Sequence, residues 1–522
     1  KCLRWRSDPT RMADQSVPVI SRHRSKAWEQ VAAWGLFVVL AYFPIFLDLD
    51  AMPLRIWDES RQAVNAYEMA QNGDWLVKHF QGKPDMWNTK PPLLVWSQAL
   101  LMKVLGPAEL AVRLPAAVSA FLTGLLLMWV AARWLERPWL GLVACLVLFT
   151  SQGYLHHHAA RHGDHDAPVT FFMLLQVIAL FRYVTNGSRR SLVYFFVGLG
   201  GAVLTKSIQG LLFLPALAVF ILYSGSWRSL VRERATWFGL GAVLCLVAGY
   251  YAASEQANPG YIDAVISNEL GQRYNTVSEG HAGDWDFYVS RIIRQGLTSF
   301  HLLVPVGLIL ALSFQDDSLR RWGLLVGLVA VSYLTIISNS TTKCEWYDVP
   351  MYPMLAMLAA FPLYMVLEWL REQGAQLGSL RWNVLPGAFL FLVFVGPWSR
   401  ETERVYRSEE WEWDRQFYAP AHYFKQVLAG ERQLKAGVLT ADGPIQHLVF
   451  YMDLMRERGR DIRVVPSSQL VPGMTVLAYE ASVQEMIERE HLTRVLEDWG
   501  SVRTYEILDQ EWSSEPEDTR PS

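Results

Sequence analysis

The sequence predicts a polytopic α-helical membrane protein that ends in a small soluble α/β domain, and three observations carry that prediction. Of its 522 residues, 52% are apolar and 22 are Trp, at a mean hydropathy of +0.13. Such a chain is too hydrophobic for a soluble enzyme and too charged to lie wholly in a membrane. Eleven apolar runs follow one another between Val31 and Trp398. After Arg400 the texture turns charge-rich, and short strand-like pieces alternate with amphipathic helices.

The elements follow in order. Residues 1–28 form a basic segment: Lys1, Arg4, Arg6, Arg11, Arg22, Arg24 and Lys26 stand against Asp8 and Asp14. Positive charge before the first span places the N-terminal side in the cytoplasm and the next loop, near 48–92, outside it. The run from Val31 to Leu47 is long for a signal-peptide core and lacks a small-residue cleavage pattern after it, so it reads as a retained span. Further runs lie near 93–105, 110–132, 139–155, 167–184, 192–223, 235–253, 292–313, 322–338, 350–370 and 384–398. The run from Leu192 to Tyr223 exceeds the ~20 residues that cross a bilayer. Gly198, Gly200, Gly201, Lys206 and Gly210 interrupt it, so it reads as two spans hinged near Lys206 or as one span with a re-entrant piece. The expected count is therefore eleven to thirteen spans within a membrane domain of residues 29–400. A second long extracytoplasmic loop falls near 254–290, and the soluble domain occupies 401–522. In that domain strands are expected at 437–440, 462–465 and 475–479, with helices near 444–459 and 481–491. Cys2, Cys145, Cys245 and Cys344 are scattered and form no disulfide or thiolate-metal pattern. A net charge of −3 gives no reason to expect a nucleic-acid partner.

Chemistry concentrates where charges stand at span ends. Asp58 and Glu59 follow the first span, framed by Trp57 and Arg61, in a loop of about 45 residues, long enough to expect function or disorder. Its aromatic content argues against disorder. Read alone, the acidic pair is a solvated loop feature. Held at the interface, one carboxylate becomes a general base whose proton affinity rises with desolvation. Lys90, fixed by Pro91 and Pro92 at the entry to the next run, either snorkels or meets a lipid phosphate at headgroup depth. Arg113 has the same two readings. The segment from His156 to Asp166 packs five histidines with Asp164 and Asp166. His158, His162 and His165 are its candidate ligands for a divalent metal, although consecutive helical histidines diverge. The other reading is a polar cap in which Arg161 organises Asp164 and Asp166. Lys206 and Lys343 are intramembrane or span-end cations, for which function is the default, and Tyr347 stands beside the second. In the 254–290 loop, Glu269 lies among Trp, Tyr and Asn residues that suit a sugar or an aromatic belt.

In order and spacing these marks resemble the GT-C membrane glycosyltransferases, in the branch of protein O-mannosyltransferases and lipid A aminoarabinose transferases (glycosyltransferase family 39-like). The marks are Asp58-Glu59, Gly73-Asp74-Trp75-Leu76-Val77, Lys90-Pro91-Pro92, Arg113-Leu114-Pro115, Arg161 with Asp166, Leu204-Thr205-Lys206, and Lys343 with Tyr347, Pro350 and Pro353, across about residues 29–400. The resemblance implies a bacterial inner-membrane enzyme with its active site and C-terminal domain on the extracytoplasmic face. It implies a polyprenyl-phosphate-linked sugar donor and inverting transfer to lipid A, another glycan or a protein. Asp58 would be the catalytic carboxylate with Glu59 supporting it, and Lys90, Arg113, Lys206 and Lys343 would bind the donor phosphate. Arg61, Arg161, Asp164, Asp166, Glu269 and Tyr347 are the remaining substrate-binding or polar-cap candidates. Two departures stand out: Trp346 where the family often has histidine, and Asn88-Thr89 before Lys90. A transporter or flippase for a lipid-linked sugar would also place cations at span ends, but such proteins commonly show repeated halves and this chain shows none. A third reading is an envelope scaffold that binds through the C-terminal domain.

Overall fold

The computed structural model describes residues 27–156, 158–271, 282–377, 380–406, 410 and 412–509. The basic segment up to Lys26, His157, part of the 254–290 loop and the last residues of the chain lie outside the described residues. Among the described residues seven helices are long and apolar enough to cross a membrane: Ala27–Phe46, Glu109–Trp134, Asp166–Asn186, Arg189–Leu211, Arg234–Ala257, Asp317–Ser338 and Glu345–Gly374. Four shorter apolar helices accompany them, Leu93–Leu105, Pro138–Phe149, Leu214–Tyr223 and Leu303–Ser313. A further helix, Leu380–Tyr406, leads out of the bundle. The helix after Lys90 therefore has 13 residues, shorter than a full span.

Burial ranks these helices. The Glu345–Gly374 span is 83% buried and forms the centre, whereas Arg234–Ala257 is 6% buried and turns most of its surface outward. The long run from Leu192 to Tyr223 breaks after Lys206. Ser207 takes a positive φ of 48°, a single 3-10 turn covers Ser207–Leu211, and the next helix starts at Leu214.

The segment between the first span and Lys90 is more ordered than an open loop. A 15-residue helix, α1 (Asp58–Asn72), is followed by an antiparallel ribbon of β1 (His79–Phe80) and β2 (Lys83–Pro84). Gly73 closes the helix at φ 75°, the left-handed stop that favours glycine.

The C-terminal part carries helix α2 (Glu412–Ala429), α3 (Gln446–Glu457) and α4 (Ala481–Glu490) around a mixed sheet. Its strands are β3 (Val438–Leu439), β4 (Arg463–Val464), β5 (Thr475–Ala478), β6 (Thr493–Trp499) and β7 (Val502–Ile507), in the order β4-β3-β5-β7-β6. The parallel part, β4-β3-β5, coincides with the three expected strands. One apolar cluster joins this region to the membrane domain: Leu54, Ala63, Val64 and Tyr67 pack with Tyr423, Phe424, Phe450 and Tyr451. Helix α1 thus lies between two bodies.

Candidate active site

The site is built around the first turn of α1. Trp57, just before it, holds φ 73° and ψ −116°, a conformation that costs a bulky residue free energy. Asp58 and Glu59 occupy the positive end of the helix dipole but face different partners, because consecutive helical residues diverge by about 100°.

Glu59 points inward and is 2% exposed. It accepts from Arg113 Nε (2.8 Å) and Nη2 (3.0 Å), from the Arg55 amide (2.7 Å) and from the Gly163 amide (2.9 Å). Burial pushes its proton affinity up, but Arg113 outweighs burial and holds the carboxyl at about 2. Gly163 is required there: a Cβ would stand 2.4 Å from Val112 Cγ1 and 2.9 Å from the Val112 carbonyl. The rest of the Arg113 guanidinium donates to the carbonyls of Leu49, Met52 and Pro53. All five donors of Arg113 are thereby used inside the protein, which corrects the expectation that it binds phosphate. Glu59 is likewise hydrogen-bonded four times within the protein.

Asp58 faces the other way, with its side chain 15% exposed. Lys90 Nζ donates to Asp58 Oδ1 at 3.1 Å, and His158 Nδ1 lies 3.9 Å from the other oxygen. Burial raises the Asp58 carboxyl, but Lys90 and His158 overcome it, so the group sits below the ordinary carboxylate range. The expected upward shift is therefore reversed. His158 bonds Asp164 Oδ2 and stacks on Trp346, ring centroids 3.7 Å apart at 27°. Burial lowers the imidazole, yet Asp164 and Asp58 more than compensate and keep it above its usual value. Trp346, the departure from the family pattern, thus supplies the face that holds His158. Asp164 also accepts from Gln62 Nε2 (3.2 Å) and the His165 amide (2.6 Å).

Beyond this pair, Lys206 Nζ donates to both oxygens of Asp166 at 2.6 Å and lies 5.7 Å from the Tyr347 ring centroid. Lys206, Glu269, Gln209, Tyr333 and Tyr347 line a cleft together with Ile336 and Leu212. Thr89, next to Lys90, donates to Glu269 Oε1 at 3.5 Å, which ties the Lys90 end to one residue that lines the cleft.

Several expected residues serve the scaffold. Arg161 donates to the carbonyls of Pro44, Ile45, Leu47 and Asp48, so it caps the end of the first span and does not organise Asp164 and Asp166. Lys343 Nζ donates to the carbonyls of Ile337, Ser338 and Ser340, capping the Asp317–Ser338 helix with all three protons, which corrects its expected phosphate role. Arg61 is bidentate to Asp85 at 2.8 Å and stacks between Phe80 and Trp87, which pins the ribbon against α1. Of the expected metal histidines, His158 joins Asp58 and Asp164 in bringing ligand-type atoms within 4.8 Å of one another, and His165 Nδ1 lies 3.2 Å from Asp164 Oδ1. His162 Nδ1 accepts from the His158 amide, and fully buried His165 is pushed down to about 4 by burial. Lys90 and His158 already balance the two carboxylates.

Sequence reasoning missed Lys78. It is 4% exposed, its Nζ donates to the Lys90 carbonyl, and burial brings it down to about 7. Its signal was a lysine directly after the apolar run Trp75-Leu76-Val77.

The described residues thus form a membrane bundle with an acidic helix start and a cleft lined in part by Lys206. Over residues 89–251 the chain matches the dolichyl-phosphate-mannose-protein mannosyltransferase family. The likenesses then fall on one branch. The chain is similar to the undecaprenyl phosphate-α-4-amino-4-deoxy-L-arabinose arabinosyl transferase of Pseudomonas aeruginosa, 28% identical over 50% of this chain and 47% of the relative. Those of Edwardsiella ictaluri (27%, 64% of this chain and 59% of the relative) and Aeromonas hydrophila (26%, 72% and 68%) are similar too. These alignments span about half to two thirds of the relatives' length. The crystal structure of ArnT from Cupriavidus metallidurans bound to undecaprenyl phosphate superposes with a TM-score of 0.68 at 17% identity, covering 92% of this chain and 98% of that one. Its apo form gives 0.64 at 16% identity, covering 92% and 97%. The fold is thus that of the aminoarabinose transferase type, a polytopic membrane protein, as the resemblance implied.

Proposed function

We propose that this chain transfers a sugar from a polyprenyl-phosphate donor to a hydroxyl or phosphate of an envelope acceptor, at the extracytoplasmic face of a bacterial inner membrane. The observation that carries the reading is the Asp58–Lys90 pair: one carboxylate and one ammonium in contact, both largely buried, beside a cleft rimmed by Lys206. Similarity to undecaprenyl phosphate-dependent arabinosyl transferases supports the donor class. Glu269 at the rim presents a carboxylate that suits the protonated amine of an amino sugar.

Asp58 accepts the proton of the acceptor as its oxygen attacks the anomeric carbon. The bond to the donor phosphate breaks on the opposite face, which inverts the configuration. The polyprenyl phosphate leaves with the electron pair, and Lys90 neutralises it, with Lys206 as the second nearby cation. Lys90 couples the two events. While it pairs with Asp58 the carboxylate is a weak base; as it turns to the leaving phosphate, burial raises the proton affinity of Asp58 at the moment a base is needed.

The test is Asp58→Asn in purified, membrane-inserted protein. Transfer should fall by at least ~100-fold with insertion intact, and near-wild-type turnover would remove Asp58 from the mechanism. Mass spectrometry of lipid A, other glycans and glycoproteins with and without the protein identifies sugar and acceptor together.

A further inference from the structure

The six residues before Trp57 are held from two sides: Arg113 and Glu59 bond the backbone of Met52, Pro53 and Arg55, and side chains of the C-terminal domain bond that of Ala51, Leu54 and Ile56. Tyr451 Oη accepts the Leu54 amide at 2.8 Å and donates to Glu109 Oε1 at 2.9 Å. Two residues on, Tyr418 Oη accepts the Ile56 amide at 3.1 Å, and the Arg55 guanidinium lies 4.5 Å from the Tyr418 ring centroid. Lys425 Nζ donates to the carbonyls of Asp50 (2.6 Å) and Ala51 (3.2 Å) and pairs with Glu109 at 2.8 Å. Both tyrosines are buried, Tyr418 at 4% and Tyr451 at 1% exposed. Two amides, two residues apart, thus each meet a buried phenol.

Directly after this clamp comes Trp57, with its positive φ, and then Asp58. Trp57 is 54% exposed, so packing of its own side chain does little to hold the turn. Such a backbone conformation persists only where its surroundings over-determine it. One side is α1, whose first turn includes Ser60 N to Arg55 O and Arg61 N to Trp57 O, each 3.0 Å. The other side is the tyrosine clamp. Three of the six described non-glycine residues with positive φ, Trp57, His158 and Ser207, adjoin or belong to the site, as expected where strain serves geometry.

We infer that Tyr418 and Tyr451 are positioning residues: by holding the Leu54 and Ile56 amides they keep the strained Trp57 turn and aim Asp58 at Lys90. The inference rests on Asp58 as the base. It gives the C-terminal domain a direct part in transfer, through backbone it grips rather than through any group that meets substrate.

The test is a cycle in full-length protein, with each tyrosine changed to Phe so that only the hydroxyls are lost. The pair Tyr418→Phe with Tyr451→Phe should lower kcat about tenfold with little change in KM for donor. Because glycine adopts the Trp57 conformation without strain, the same pair in a Trp57→Gly background should lower kcat less than about threefold. Hydrogen exchange at the Leu54 and Ile56 amides should quicken in the Phe pair. An unchanged kcat, or an equal loss in both backgrounds, overturns the inference. Asp58→Asn run alongside separates the two readings: if it stays active the base assignment falls, whereas an inactive Asp58→Asn with an unaffected Phe pair removes the clamp alone.

Discussion

In the proposed transfer Lys90 serves two anions in turn, Asp58 and the leaving phosphate, and pH exposes that arrangement. Burial raises the Asp58 carboxyl and Lys90 lowers it, with the lowering ahead. The base is therefore ionised at every pH above its depressed value, and the acid limb of kcat/KM lies below the ordinary Asp range. Lys90→Met removes the largest lowering influence and leaves burial, so that limb should move to higher pH as donor saturation weakens. A pH profile with an unmoved limb would show that Lys90 does not govern Asp58. Lys78 gives the opposite sign to a stability measurement. Its folded value of about 7 lies below its ordinary 10.5, so the unfolded chain binds more protons between those values and stability rises with pH across that window. The burial penalty is present in full below about 7. Lys78→Met should therefore raise the thermal midpoint more at pH 6 than at pH 9, and by an amount reflecting a few kcal/mol at the acid end. Equal shifts at both pH values would place the ammonium in water. Asp58 and Lys90 were legible because isolated charges framed by Trp and Pro at span ends are costly without a purpose. The separate fates of Asp58 and Glu59 were not, because adjacent letters carry no direction until the helix that points them apart is known.

The element that fixes those directions is α1, and its inner hinge is the Glu59–Arg113 pair. Both partners are nearly fully buried, so truncating one strands the other in a medium that cannot solvate it. Arg113→Met should cost about 3–5 kcal/mol, read as a lower midpoint in detergent, with loss of transfer following from disorder of the first turn. An unchanged midpoint with weakened donor binding would instead restore a phosphate role. This helix was hidden in the sequence because small or polar residues dilute its buried face: Gln62, Ala63, Asn65 and Ala66 stand among Val64, Tyr67 and Met69. The break after Lys206 was visible for the opposite reason, since glycines and a lysine cannot pass unnoticed in an apolar run. In the C-terminal region the three parallel strands were legible from short apolar pieces. The β6–β7 hairpin was not: Arg494, Glu497, Asp498, Arg503 and Glu506 dominate it, and a register shift between Val495 and Glu497 breaks its alternation. Helix α2 was lost for a related reason, its apolar face being interleaved with charged residues at Asp414, Arg415 and Lys425.

At the scale of the whole molecule the membrane bundle and the C-terminal region share one core rather than meeting at a polar seam. Tyr67 of α1 meets Phe450 edge-on at 6.0 Å, and Leu54, Ala63 and Val64 are fully buried in the same cluster as Tyr423, Phe424 and Tyr451. An interface of this kind, apolar and aromatic at its centre, resembles a domain core cut in two more than a transient contact. Removing one half exposes the other to water. A chain stopped after Tyr406 should keep its spans and insert, because those helices bury against one another. It should lose transfer, since α1 then has neither the Phe450 and Tyr451 face nor the clamp ahead of Asp58. Limited proteolysis sharpens the test: cleavage between residues 50 and 72 should become rapid in the shortened protein and stay slow in the full chain. Transfer surviving with α1 still protected would mean that the bundle alone orders the site, and the C-terminal region would then be a separate module.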